Sequence, residues 1–321
     1  MIYFKIIKLS LILCVINEVN SFCENKDALN DITARLYKSK KSEGFRYIGS
    51  FYEMDKFEII HVEKSNVTDL CEGMIKNFPK LEILSLINAN ISKIQANVFQ
   101  KVSNLTELSL AVNKISEIVD GSFNNLEALQ YLYLSGNRIN SIGSRAFNGL
   151  PNLKKLYLDR NKLKQLDQNL LIENVLLKLV DLRYNEFELI ATTTFSRLQL
   201  SHSEPITIYL GHNEIIDVDP TTFAFKNPIN LHLESNKLNT ISDLFHGINE
   251  YSVLYLNSNK FICLPDDVIE NVKMSTKIVY LLDNPISCQC LRILDGSYIQ
   301  EDGGSVKLIY DHNCTYERIV I

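Results

Sequence analysis

The chain has 321 residues, of which 46% are hydrophobic and 22% charged, and a formal net charge of −5. That length exceeds one ordinary compact domain and predicts either two domains or one elongated repeat domain. The apolar content excludes wholesale disorder, and the acidic balance argues against nucleic acid, whose phosphates need clustered Lys and Arg.

Residues 1–21 read as a signal peptide. Lys5 and Lys8 give a positive start, Leu9 to Ile16 form a short apolar run, and Val19 and Ser21 precede a cut ahead of Phe22. The run falls short of the roughly 20 apolar residues that cross a bilayer. Removal takes away Lys5, Lys8 and Glu18, so the formal charge moves from −5 to −6. No later stretch offers about 20 apolar residues, and Tyr316–Ile321 is too short for a lipid-anchor signal. The mature chain is therefore expected to be secreted, extracellular and without a membrane span. Six cysteines remain once Cys14 leaves with the leader: Cys23, Cys71, Cys263, Cys288, Cys290 and Cys314. They crowd the two ends, and an oxidising compartment would make most of them disulfides.

An N-terminal cap segment over 22–56 precedes an internal repeat that runs over 57–286. The frame L-x-x-L-x-L-x-x-N-x-L fits Leu105, Leu108, Leu110, Asn113 and Ile115. It returns at Leu129–Ile139, at Leu153–Leu163 and, with Val180 and Phe187 substituted, at Leu177–Phe187. Later copies keep the last places around Asn213, Asn236, Asn259 and Asn284. Two earlier copies place Ser65 and Ala89 where the Asn stands. This makes about ten repeats, mostly 23–25 residues apart, with one of 28 before Asn213. The L-x-L core has period two, so it predicts a short strand with one buried face. Stacked copies make a parallel sheet, with a crossover after each strand. The Asn turns inward, where it satisfies backbone groups that the bend leaves unpaired. Ten residues beyond the Asn place stand Phe99, Phe123, Phe147, Phe195 and Phe223, with Leu171 in the gap, predicting a second apolar column under the outer side.

This frame resembles the extracellular leucine-rich-repeat family with typical 24-residue repeats, as in Toll-like and Slit-like ectodomains and small leucine-rich proteoglycans. The resemblance implies an α/β solenoid: a horseshoe with a parallel concave sheet and an irregular or short-helical convex side. Asn284-Pro285-Ile286-Ser287-Cys288-Gln289-Cys290-Leu291 resembles the family's cysteine-rich C-terminal cap, placed here over 287–321, and by that resemblance Cys288 pairs with Cys314. The cap is divergent: Tyr298 stands in the region of the family's tryptophan, and the usual fourth cysteine is missing. Cys290 then either bonds Cys263 or stays free to link a second chain, giving a disulfide-linked or non-covalent oligomer. The family's four-cysteine N-terminal cap is absent. A Cys23–Cys71 bond would staple the leading segment over the first coil, and closing so long a loop constrains the unfolded chain.

Between the buried leucines, the central outward place holds His61, Ser85, Ser109, Tyr133, Tyr157, Asp181, Tyr209, His232, Tyr255 and Tyr280, with Tyr131 and Tyr184 on the same face. Tyr offers rigid area with a polar tip, which suits protein recognition, and also simply suits strands. Lys155, Asp159, Arg160, Asp181 and Arg183 lie beside this column, either setting partner choice or forming a solvated charged face. The expectation is a protein-binding module acting through the concave face; the alternative is a structural or assembly component. Four N-x-S/T sequons, at Asn66, Asn90, Asn104 and Asn313, suit a secreted glycoprotein.

No nucleophile elbow, H-E-x-x-H, P-loop, G-x-G-x-x-G or C-x-x-C occurs in the sequence. His212 and His232 approach one face, yet scattered surface histidines are the plainer reading. Asp219 and the Asp266-Asp267 pair have no visible partner for acid–base work. No catalysis, cofactor or metal is expected. N-terminal sequencing of the secreted chain should begin at Phe22; a start at Met1 would remove the signal-peptide reading.

Overall fold

Each strand of the repeat is centred on the first leucine of its L-x-L pair, because that residue must turn inward while its two neighbours turn out. The computed structural model describes residues 32–40, 45–49, 55–65, 67–190, 195, 198, 205–219, 222–223, 227–240, 251–266, 268, 278–287, 289–290 and 307–309. The chain divides into two units, Met1–Tyr157 and Leu158–Ile321.

In the first unit, strands Ile59–Lys64, Ile83–Ser85, Glu107–Ser109, Tyr131–Tyr133 and Lys155–Tyr157 run parallel in chain order. Their register sets Ile60 against Leu84, Leu84 against Leu108, Leu108 against Leu132, and Leu132 against Leu156. Equal positions meet because each coil lays the same strand beside that of its neighbour. An antiparallel pair leads in: Ile32–Tyr37 lies between Phe45–Gly49 and Ile59–Lys64. Ile32, Ala34 and Leu36 alternate inward and are fully buried, so this strand covers core that the first coil would otherwise expose. Their period-two pattern was the signal for a strand here, in a segment read only as a cap.

In the second unit, Leu179–Asp181, Ile206–Tyr209, Ile229–His232, Val253–Tyr255 and Ile278–Tyr280 repeat the arrangement. Val180 faces Ile208 across the longest spacing in the repeat, so the extra residues sit in the return segment and leave the register intact. A further parallel strand, Lys307–Ile309, pairs Leu308 with Val279 inside the region read as the C-terminal cap. Counting on from Leu308 as from Val279, the next Asn place falls on Asn313, outside the described residues.

Of the two forms expected for the outer side, the irregular one predominates among the described residues, with helical residues only at Asp266, Val268, Gln289 and Cys290. The return segments are turns and two-residue strand pairs, such as Asp69–Leu70 with Lys93–Ile94 and Leu189–Ile190 with Asp217–Val218. A helix must first form a costly nucleus. Here the backbone is already satisfied by the neighbouring coil, as in Lys114 N donating to Ile91 O at 2.7 Å.

The leucines of the frame are buried throughout both units. Phe99, Phe123 and Phe147 stack with centroids 6.5 and 6.0 Å apart, and Phe195 stacks on Phe223 at 5.5 Å. The asparagines turn inward and link coil to coil. Asn137 Nδ2 donates to Leu134 O of its own coil and Leu110 O of the one before, both at 3.0 Å. Its Oδ1 accepts from Ile115 N at 3.1 Å. Asn113, Asn185, Asn213, Asn236, Asn259 and Asn284 repeat the two donations. In the earlier copies Ser65 Oγ donates to Ala89 O at 3.2 Å, and Ala89 N donates to Asn113 Oδ1 at 2.9 Å. Each buried group left unpaired costs about 1–3 kcal/mol. Asn137→Ala should therefore destabilise by roughly 2–4 kcal/mol and lower the urea midpoint, while Asn140→Ala, at an exposed position, should leave it unchanged.

Candidate functional site

Constant register acts on the solvent side as well. A side chain meets its counterpart one repeat later at the strand spacing of about 4.8 Å, close to the separation of stacked aromatic rings.

In the first unit the outward column begins with His61, set edge-on to Tyr37 at 5.7 Å. Burial pushes the His61 pKa down, against the pull of Glu107. Ser85 and Ser109 follow; both are buried, so they floor the face and present little of themselves. Tyr133 and Tyr157 then stack at 4.7 Å and 8°. Burial, with the charge of Glu107 behind it, raises the Tyr133 pKa and keeps its hydroxyl protonated. Beside them, Lys155 Nζ stands 5.9 Å from the Tyr131 ring centroid.

The second unit carries two rows. Tyr209, His232, Tyr255 and Tyr280 follow in sequence with centroids 4.3, 4.0 and 4.7 Å apart, the first pair tilted by 35° and the other two stacked. Arg183 caps this row, its guanidinium 4.6 Å above Tyr209. Beside it, Arg160 lies 4.5 Å above Tyr184, which stacks on His212 at 4.3 Å. The rings therefore use their faces on one another. What they offer outward is a line of edges and hydroxyls, bounded by guanidinium groups.

One expected contact residue is corrected. Asp181 is 2% exposed. Its carboxylate accepts from Arg183 Nε at 3.0 Å and Nη2 at 2.6 Å. A carboxylate buried at this depth needs such a partner, so Asp181 fixes Arg183 over Tyr209 and presents nothing to a ligand. The hydrogen bond to Asp181 also raises the Arg183 pKa and holds the cation. Arg160 has a looser counter-charge in Asp159 at 3.9 Å.

Glu234 was not legible as a site residue. It lies two places beyond His232 and leans back over Gly211, where a built Cβ would sit 2.6 Å from its Oε1. Its Oε2 is 3.6 Å from His232 Nδ1, an electrostatic contact longer than a hydrogen bond. Burial pushes the Glu234 pKa up, but His232, the residue's own backbone and the charge of His212 together outweigh it and hold it below the ordinary value.

The sulfurs of Cys263 and Cys290 are joined at 1.99 Å, and Cys290 is 1% exposed. A link to a second chain through Cys290, the alternative left open, has no thiol to use. Cys71 is disulfide-bonded; Cys23, Cys288 and Cys314 lie outside the described residues, as do Asn66 and Asn313. Asn90 is exposed with φ 65°. Asn104 is exposed too, but its side-chain amide donates to Pro79 O at 2.7 Å, tying it to the preceding coil. Among the described residues, no group of three or more His, Cys, Asp or Glu gathers as a metal ion requires, and no helix is long and apolar enough to cross a membrane.

Strand-and-return coils stacked in register, closed inside by a column of asparagines, define a leucine-rich-repeat solenoid. The leucine rich repeat family model matches residues 56–115, 103–163 and 207–261, just over half of the chain, and the protein belongs to the leucine-rich-repeat family. No curated protein matches it. Repeats of this family generally mediate protein–protein interaction.

The sign of the Glu234 shift sets a pH effect. A depressed carboxyl contributes stability above its unfolded pKa, about 4.3 for Glu, and that stability is lost as pH falls through the lower folded value. Thermal melts between about pH 5 and pH 3 should therefore show Glu234→Gln losing less of its midpoint on acidification than the wild type.

Proposed function

We propose that this protein is secreted and binds another protein through the outward strand faces of its repeats, without catalysis of its own. The observation that carries this is the stacked row Tyr209–His232–Tyr255–Tyr280 with Arg183 at its end. Rings already stacked have little rotamer freedom left to lose on binding, and Tyr and Arg are the residues that anchor protein interfaces. The row has no role in the core, which the leucines, phenylalanines and asparagines close without it. The signal-like leader, the cysteines at the ends and the exposed Asn90 sequon support an extracellular setting. The assembly reading drew on a free Cys290, and that residue is bonded within its own chain.

The test is partner capture by crosslinking of the tagged, secreted chain. Tyr209→Ala and Tyr255→Ala should each weaken capture by about tenfold or more, the scale of an interface anchor, with Tyr133→Ala and Tyr157→Ala as the matching pair in the first unit. Capture that survives all four changes would overturn the assignment of the strand face.

A further inference from the structure

The charges of the second unit's strand face are not equally matched. Asp181 is held by Arg183, and Asp159 lies against Arg160. Among the described residues, no lysine or arginine forms an ion pair with Glu234. Its neighbours are His232 of its own coil, His212 of the coil before and Tyr255 of the coil after, and an imidazole is a counter-charge only when protonated. Glu234 Oε2 receives no hydrogen bond at all, although a carboxylate in partial burial calls for one. Oε2 is itself covered, but the side chain as a whole keeps 23% of its surface exposed, and a cation meets the carboxylate charge from that exposed side. Gly211 makes the position possible, since any side chain there would drive Glu234 off the notch. The His232–Tyr255 and Tyr184–His212 stacks flank the notch with ring edges, their faces being taken up by one another.

The geometry points to Glu234, seated over Gly211 between His232 and His212, as the subsite that receives a lysine or arginine side chain of the protein partner. This rests on the strand-face reading above and gives the partner's chemistry: a basic residue entering beside the aromatic row. The partner's cation supplies the counter-charge that the neutral imidazoles lack. Arg183 and Arg160, already matched on their own side of the face, repel a second cation and steer it toward Glu234.

The test titrates the full chain at about pH 7.5 and low salt, where surface charge is least screened. The probes are the capped peptides Ac-Gly-Arg-Gly-NH2, Ac-Gly-Lys-Gly-NH2 and Ac-Gly-Glu-Gly-NH2, followed through the imidazole proton resonances of His212 and His232. Saturable shifts are expected with the two cationic peptides and none with the acidic one. Glu234→Gln should weaken the cationic peptides by about fivefold or more, as befits one lost charge contact. Gly211→Ala, which keeps the charge but displaces the carboxylate, should weaken them as well. Glu186→Gln, a rim carboxylate next to Lys164, should not. Equal binding by the wild type and Glu234→Gln, or no saturation with either cationic peptide, would overturn the proposal. The two readings fail separately. Lost partner capture in the tyrosine variants with unchanged peptide binding in Glu234→Gln removes only the subsite. Peptide binding at Glu234 with capture intact in every tyrosine variant removes only the strand-face reading.

Discussion

A parallel strand holds its neighbour at about 4.8 Å, and in this chain the neighbour is the same sequence position one repeat later. That constraint acts on both faces at once. Inside, it sets leucine on leucine, phenylalanine on phenylalanine, and each asparagine within reach of two successive coils. Outside, it sets tyrosine on tyrosine and histidine between tyrosines at stacking distance. The outward face and the core are thus two results of one register, and a slip in it would lose both together.

The asparagine column shows why the register survives irregular spacing. Asn213 still donates to Leu182 O at 3.1 Å and Leu210 O at 2.9 Å across the longest repeat. The bonds depend on the strand end, and the length of the return segment does not enter. Where the side chain changes, as at Ser65 and Ala89, the coupling is weaker but not absent, because Asn113 reaches back to the Ala89 and Ile91 amides. The first of these coils also pairs with the antiparallel strand Ile32–Tyr37, which covers its core and adds ordinary ladder bonds.

On the outward face, stacking and charge pairing decide what a ligand meets. Asp181 and Arg183 satisfy one another, and in doing so they turn a possible pair of contact residues into one rigid cation over Tyr209. Glu234 is the contrasting case, a carboxylate held by histidines and its own backbone and leaning across a glycine. The face therefore combines an aromatic row, one guanidinium fixed by Asp181, a second lying over Tyr184, and one acidic notch.

The sequence by itself determined the repeat, the buried columns and which residues share the outward face. Leu132, Asn137, Phe147 and Tyr255 lie where the frame placed them, because periodicity in a solenoid is a statement about space. It did not reveal the strand Lys307–Ile309, whose repeat lacks most of the leucine frame, nor the pairing of Cys263 with Cys290, for which two partners stood open. Only the tertiary structure decided that Asp181 is buried, that the ring faces are taken up by one another, and that Glu234 bends back over Gly211. Those outcomes depend on side-chain direction and on the neighbour one coil away. A period gives the position of a residue along the stack, but the contacts it makes depend on what else shares that position and how far each side chain reaches.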